Sequence, residues 1–458
     1  MDVIVIGDIM LDINYYSYIY RNAPEANIPI HNIHHIDYLL GGAANIAHNL
    51  SNLNLSIELL SVIGNDETGI KLKTLLDHKK IKHKLFIDNE RVTTQKNRIF
   101  NKNNLDIRYD IEDTKNINNE IANNLFDYIK NKKVKVIILS DYDKGVLTEN
   151  LVKNIIEYSN NNNIYTFIDP KVKNFLKYKN CFCFKPNFYE AQEISKKTDV
   201  QDMIEFIKEN INCKNLVLTL GKDGIMLNNI NNHIFHKEDI KVTDVTGSGD
   251  IVLSILVYIF LSKKDLLLAC KIANYIAGIS VQVIGNYSLS KNDINNYYLN
   301  NPDSKIIYDT EISKIIELSK IENLVFTNGC FDILHSAHIQ LLQYSKKQGD
   351  ILVVGLNSDE SIKRIKGEKR PINNQEERIK ILSLFDFIDY IIVFNDDTPF
   401  NILKMLKPKI LVKGSDYLIE TIIGREFCKE IKLFNYIENK STSLIINKIQ
   451  KKCNINAI

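Results

Sequence analysis

The sequence predicts an α/β protein with largely parallel sheets, built as a larger first domain and a smaller second one. Three observations carry that expectation. Apolar runs of strand length alternate with helix-period patterns along the chain. The clearest runs each end in Asp, Gly or Pro, residues that close a buried strand. The alternation breaks once, at Asn301-Pro302-Asp303, and then restarts.

At 458 residues, 45% hydrophobic and 25% charged, the chain is long enough for two or three domains with their own cores. That excludes a disordered tail and a disulfide-stapled mini-domain. Lys and Arg number 58 against 56 Asp and Glu, a net charge of +2, so no nucleic-acid partner is expected. Seven Cys at irregular spacing read as the reduced thiols of a cytoplasmic protein. The opening MDVIVIGDIMLD interrupts its apolar run with Asp8 and Asp12 and does not read as a targeting segment. The apolar run at 251–261 is too short to span a bilayer, so a buried helix and no membrane partner are expected.

The first buried strand is expected at 3–8 (VIVIGD), with others at 134–141, 164–170 and 215–221. Ligands of open α/β sheets sit at the carboxyl ends of strands, which puts Asp8, Asp141, Asp169 and Gly221 where a site belongs. After the break comes a polar, helix-like stretch, TEISKIIELSKIE. New strands are then expected at 323–332, 350–359, 388–394 and 409–416. The domains are accordingly expected at 1–305 and 321–458, joined by a linker at 306–320.

The sharpest motif is DVTGSGD, 244–250, directly before the apolar run. Gly247, Ser248 and Gly249 let backbone N–H groups turn toward an anion at a helix start, where the dipole is positive. Asp250 then lies on the first helical turn, placed to take a proton from an attacking hydroxyl. The competing reading is a Gly-rich turn with an Asp cap. A second loop, Gly41-Gly42-Ala43-Ala44-Asn45, also precedes a helical pattern and permits close approach of a ligand. In Lys185-Pro186-Asn187 with Glu190, an amide and a carboxylate stand one turn apart. They suit a hydrated Mg²⁺, or a helix cap with a solvent-facing acid.

In this order, GGAAN, KPNxxE and DVTGSGD resemble the diagnostic segments of the ribokinase-like (PfkB) sugar kinases. The resemblance implies a ribokinase-like fold, Asp250 as catalytic base, and Gly247, Ser248 and Gly249 as the anion hole. It places Asn187 and Glu190 near Mg²⁺ and the nucleotide phosphates, and Lys222, Asp223 and Gly224 near the adenine nucleotide. Asp12, Gly41, Gly42 and Asn45 are implied to contact the sugar.

The second domain opens with FTNGCFDILHSAH, 326–338, running from a buried strand through a Gly turn into a helix. His335 and His338 are three apart and share a helix face, with Thr327 and Asn328 at the strand's end. They suit donation to a phosphate; Zn²⁺ is the lesser reading, because no further His or Cys cluster follows at ligand spacing. Lys366 and Arg370, within a Lys/Arg-rich run, are placed to neutralise a triphosphate, or to form a solvated charge run. Ser441-Thr442 before a helical pattern reads as a hydroxyl-bearing cap suited to phosphate. This set resembles the cytidylyltransferase-like nucleotidyltransferases of the HxGH class, with a Rossmann-like fold. It implies that the two His stabilise the transferring phosphate and that the Ser-Thr segment contacts the triphosphate.

The pairing of the two resembles the bifunctional D-glycero-β-D-manno-heptose-7-phosphate kinase and heptose-1-phosphate adenylyltransferase family of lipopolysaccharide core synthesis. That implies ATP as substrate in both reactions, Mg²⁺, a homodimer, and a separate heptose bisphosphate phosphatase acting between the steps. A sugar 7-phosphate needs cations; Lys96, Arg98 and Arg108 are the candidates, against the reading of an exposed basic strand face. Two alternatives stay open: another sugar kinase joined to a transferase of different base preference, or an inactive second domain kept as a binding module. His31, His34 and His35, and the pair Cys181 and Cys183, carry the bland reading of surface and core residues.

Overall fold

The computed structural model describes residues 1–102, 104–228, 233–235, 241–283, 285–308, 312–320, 322–415 and 418–435. Among these the chain divides into two compact units, Met1–Asp293 and Ile294–Ile458.

The first unit is built on a nine-stranded sheet. Its strands run, in spatial order, His233–Phe235, Ile225–Asn228, Asn215–Thr219, Cys183–Phe184, Tyr165–Asp169, Val136–Ser140, Val3–Gly7, Ile57–Gly64 and His83–Asp88. The last seven are parallel; Ile225–Asn228 and His233–Phe235 add an antiparallel edge. All five residues of Val3–Gly7 are buried, as the continuous apolar run VIVIG requires of a strand covered on both faces. Ile4, Ile6, Ile137, Leu139 and Ile168 share one core with the helices Asn119–Lys130, Glu149–Asn161 and Val200–Ile211. The helices Ala43–Asn52, Ser248–Lys263 and Leu266–Ser280 pack on one another and on the sheet. Ser248–Lys263 is the buried helix expected from its apolar run, apolar on nearly every side and enclosed accordingly.

A second sheet of this unit has four strands in the order Pro29–Gly42, Ile9–Asn22, Gln95–Asn101, Asn104–Ile111. Beyond the alternative of an exposed basic strand face at Lys96, Arg98 and Arg108, the sequence does not predict it. Its strands range from buried, at the start of Ile9–Asn22, to exposed throughout, in Asn104–Ile111, and mix polar with apolar residues, so no unbroken apolar run marks them. The register sets Asp12 opposite Lys96, Asn14 opposite Arg98, and Arg98 opposite Arg108. Side chains two apart along a strand share a face, so these five residues look the same way.

The second unit is a five-stranded parallel sheet in the order Tyr390–Phe394, Ile351–Asn357, Leu324–Gly329, Ile410–Gly414, Glu430–Phe434. Alternate residues fill two cores, Leu324 and Phe326 on one side and Val325 on the other. The chain crosses in opposite directions from the central strand Leu324–Gly329, so a crevice opens at its carboxyl end. Of residues 306–320, expected as a linker, Ile306 and Ile307 pair with Ile391. The helix Ile312–Ser319 buries Ile312 and Ile315 beside Leu324. No helix among the described residues is long and apolar enough to cross a membrane.

Candidate active sites

In the first unit, most helices open on a capping side chain: Asp66, Asn118, Thr148, Asn187, Asp199 and Asp265 each accept from a first-turn N–H. Ala43–Asn52 and Ser248–Lys263 start instead at Gly42 and Gly247 with no capping side chain, which leaves first-turn amides for a ligand. Gly247 sits at φ 72°, and a Cβ there would lie 2.9 Å from Asn286 Oδ1 and 3.0 Å from Asn45 Nδ2. The turn before it is braced by Asp244, which accepts from Thr246 N (2.8 Å), Thr246 Oγ1 (2.7 Å) and Gly285 N (2.8 Å). Of the three amides expected in the anion hole, that of Ser248 donates to Val245 O within the turn at 3.2 Å.

Asp250 is only 4% exposed. Asn45 Nδ2 donates to its Oδ2 at 2.7 Å and the Tyr142 hydroxyl to its Oδ1 at 2.9 Å. Burial, then the charge of Asp169, pushes its carboxyl up to about 7, against those two donors and Lys185. Lys185, itself buried, pairs with Asp169 at 2.7 Å. A carboxyl poised there accepts a proton near neutral pH.

On the neighbouring sheet, Arg98 Nη1 lies 2.7 Å from Asp12 Oδ1. Gly41 allows this placement of Asp12: a Cβ on Gly41 would stand 2.3 Å from Asp12 Oδ2. Lys96 lies over the Tyr142 ring, 5.0 Å from its centroid, and burial lowers its pKa. Arg108, on the adjoining strand, pairs with Asp110 at 2.7 Å and is the most open of the three cations. The reading of an exposed basic face therefore suits Arg108 but neither Arg98 nor Lys96.

Asn187 and Glu190 form a reciprocal capping box, Asn187 Oδ1 accepting from Glu190 N at 2.8 Å and Glu190 Oε2 from Asn187 N at 2.9 Å. Glu190 is buried, not solvent-facing, and Lys171 Nζ donates to its Oε1 at 2.6 Å. Both groups keep spare acceptor lone pairs but are already engaged, a donor set that fits Mg²⁺ held through water rather than directly. Asn187 bridges to Thr219, so Lys222, Asp223 and Gly224, on the turn just after Asn215–Thr219, lie at the same end of the sheet. Lys222 and Asp223 are exposed and Gly224 is buried. Asp8 and Asp141, expected near a site by position, are consumed by structure. Asp8 accepts from three backbone amides, and Asp141 from the Tyr178 hydroxyl (2.6 Å) and Lys177 Nζ (2.6 Å).

In the second unit His335 caps the helix Ser336–Lys346 in an extended conformation, with no capping side-chain bond. It is not itself helical, yet its ring stacks on that of His338, centroids 3.8 Å apart and planes at 21°. Burial, then His335 and Lys366, depresses His338 to about 4, so it is neutral at pH 7. Lys366 ends the helix Asp359–Lys366. Arg370 pairs with Asp332, which also accepts from the amides of Ile372 (2.7 Å) and Asn373 (3.0 Å). Asn328 accepts from Lys413 Nζ, whereas Thr327 is fully buried and its hydroxyl does not reach the crevice. Ala337 is fully buried as well. Ser441 and Thr442 lie outside the described residues.

Sequence reasoning missed Tyr142 and Asp332, noted Lys413 only within the segment KGSD, and gave Asp169 only a position. The signal for Asp169 was its place at a strand end; Tyr142 follows Asp141 at another. Among the described residues no group of three or more His, Cys, Asp or Glu is arranged to hold a metal. His31 bonds Ser17 Oγ, His34 stacks on Tyr18 and His35 pairs with Asp37. Cys181 and Cys183 are buried free thiols, pushed up by burial.

Residues 1–293 match the pfkB family carbohydrate kinases, and residues 326–455 the cytidylyltransferase-like family. The first unit resembles the crystal structure of Escherichia coli phosphofructokinase-2. The TM-score is 0.57 at 16% identity, over 65% of this chain and 98% of that one. A putative sugar kinase from Clostridium perfringens gives 0.53 at 20% identity, over 64% and 95%. Both likenesses speak to the fold. Across nearly the whole chain, the bifunctional protein HldE of Aliarcobacter butzleri is 36% identical, over 99% of this chain and 98% of its own length. That of Campylobacter concisus is 38% identical, over 98% and 97%. With both halves covered by a single relative along nearly its full length, the chain belongs to the bifunctional HldE family, a pfkB-type carbohydrate kinase continued by a cytidylyltransferase-like domain.

Proposed function

We propose that the chain makes an ADP-activated heptose by two transfers from ATP. The first unit phosphorylates O1 of D-glycero-β-D-manno-heptose 7-phosphate, giving the 1,7-bisphosphate and ADP. The second transfers AMP from ATP to heptose 1-phosphate, giving ADP-heptose and pyrophosphate. The observation that carries the reading is the buried Asp250 at the uncapped start of Ser248–Lys263, with Asp12 and Arg98 paired on the small sheet.

The anomeric hydroxyl carries a proton, so its attack on the γ-phosphorus calls for a base, and Asp250 is poised near 7 for that role. The amides of Gly247 and Gly249, with Lys185, bear on the charge that develops on the transferred group. Mg²⁺, when bound near Asn187 and Glu190, neutralises phosphate charge on the nucleotide. Lys96 and Arg98 are the candidates for the 7-phosphate, with Arg108 further out.

In the second reaction the nucleophile is a phosphate oxygen already ionised, so no protein base is required. His338, neutral at pH 7, serves as a hydrogen-bond donor rather than a cation; Lys366 and Arg370 supply charge. The 7-phosphate is lost between the two steps, which requires a separate phosphatase. We assign the protein to the cytoplasm, as a homodimer, with neither membrane nor nucleic acid as partner.

The test is mass-resolved product analysis of the purified chain with ATP, Mg²⁺ and heptose 7-phosphate, with and without a 7-phosphatase. The bisphosphate alone without phosphatase, and ADP-heptose only with it, is the expected result. Product from CTP in place of ATP would change the nucleotide assignment, and no bisphosphate would overturn the kinase assignment.

A further inference from the structure

The loop after Val136–Ser140 is gripped by three side chains from outside and braced once within itself. Asp8 accepts from the N–H groups of Tyr142 (2.8 Å), Lys144 (3.1 Å) and Val146 (3.1 Å). Arg91 donates to the carbonyl of Lys144, and Lys177 Nζ to that of Leu147 at 2.8 Å. Asp141 accepts from Asp143 N at 2.8 Å. Whatever fixes this loop fixes Tyr142, whose hydroxyl donates to Asp250 Oδ1 at 2.9 Å while Asn45 holds Oδ2. Two cations lie against the same ring, Lys96 Nζ 5.0 Å from its centroid and Lys171 Nζ 5.4 Å. Lys96 is in register with Asp12, and Lys171 pairs with Glu190.

We propose that Tyr142 is a positioning residue for phosphoryl transfer, its hydroxyl fixing the Asp250 carboxylate against Asn45 and its ring spacing Lys96 from Lys171. The inference rests on the reading of Asp250 as the base. A carboxylate with a donor on each oxygen cannot rotate, so its remaining lone pairs keep one direction toward the acceptor hydroxyl. The phenol is desolvated and faces Asp250 and Asp169, which raises its pKa well above the usual value and keeps it a donor. The groups bearing on Asp250 are Asn45 from Ala43–Asn52, Tyr142 from the loop, Asp169 from Tyr165–Asp169, and Lys185.

The test is Tyr142→Phe in the full chain, with kinase kinetics across pH 6–9, a thermal melt, and adenylyl transfer by the same preparation as a control. At pH 7 kcat should fall about 10–100-fold, with both KM values within about threefold. The acidic limb should move to higher pH, because Asp250 loses a donor to its ionised form. An unchanged kcat and limb overturns the proposal, as does a loss confined to KM. A gain in kcat also overturns it, since the hydroxyl would then be competing with the substrate's. Tyr142→Leu should in addition raise KM for both substrates; KM values equal to those of Tyr142→Phe overturn the ring's part. Asp250→Asn separates the two readings: if it keeps kinase activity the base assignment fails, whereas an inactive Asp250→Asn beside a silent Tyr142→Phe sinks only the role of Tyr142.

Discussion

Asp12 and Arg98 form a 2.7 Å ion pair across two parallel strands of the small sheet, both side chains largely shielded from water. The pair fixes the guanidinium in one orientation before any ligand arrives. An Arg held by a single carboxylate oxygen keeps donors in reserve for a phosphate.

Arg98→Ala should therefore act on sugar binding. KM for heptose 7-phosphate should rise by about 10-fold or more, the loss of one charge-assisted contact, while KM for ATP stays within about twofold. Initial rates against each substrate in turn check this. An equal rise for both substrates would remove Arg98 from the sugar site.

The kinase should show an acidic limb near pH 7. Asp250, raised from the usual carboxylate value to about 7, is protonated below that pH and cannot take the hydroxyl proton. Asp250→Asn should cut kcat by about 10²–10⁴-fold. Its effect on stability has the opposite sign. Because the folded carboxyl binds its proton more tightly than the unfolded one, that stabilisation is present at low pH and lost as pH rises toward 7. The Asn variant should accordingly melt higher than the parent at pH 8 and show little difference at pH 4.

The adenylyl transfer should carry no titration of His338 between pH 6 and 8, since His338 is depressed to about 4. Replacing it with Ala removes a donor near the transferring phosphate and should cost about 10²–10³-fold in pyrophosphate release, with kinase activity intact. The linkage sign follows from the lowered pKa: the folded state prefers the neutral ring, so stability falls as pH drops below the unfolded value of about 6.5.

Asp332→Ala should strike the second unit twice. It frees Arg370 and leaves the amides of Ile372 and Asn373 without their acceptor. We expect a loss of about 2–4 kcal/mol in the stability of that unit and a higher KM for ATP in adenylyl transfer. Thermal denaturation and pyrophosphate assays measure the two effects separately.

The eight strands expected from apolar runs are present, because a buried parallel strand writes itself as an unbroken Val/Ile/Leu stretch. The small sheet was not legible: in IMLDINYYSYIYRN polar and aromatic residues interrupt the run, although its wealth of Tyr and Ile is a strand signal. Short motifs singled out Asp250 and Asn45, and the family resemblance Asp12. Their partners were not legible, since Asn45 meets Asp250 across 205 positions of sequence and Tyr142 meets it across 108. Asn45, expected at the sugar, has its amide nitrogen on Asp250. The spacing of His335 and His338 gave their proximity, but not that one caps the helix and the other lies within it.

Asp8 offers both carboxylate oxygens to three backbone amides and is 1% exposed. No other side chain has the same reach with acceptors alone: Asn would turn an N–H toward an N–H, and Glu is a methylene too long. Position 8 should thus tolerate replacement as poorly as position 250, for reasons of architecture alone. In a saturation screen for kinase activity the two would look alike, and only the stability of the inactive variants would separate the loop's anchor from the carboxylate at position 250.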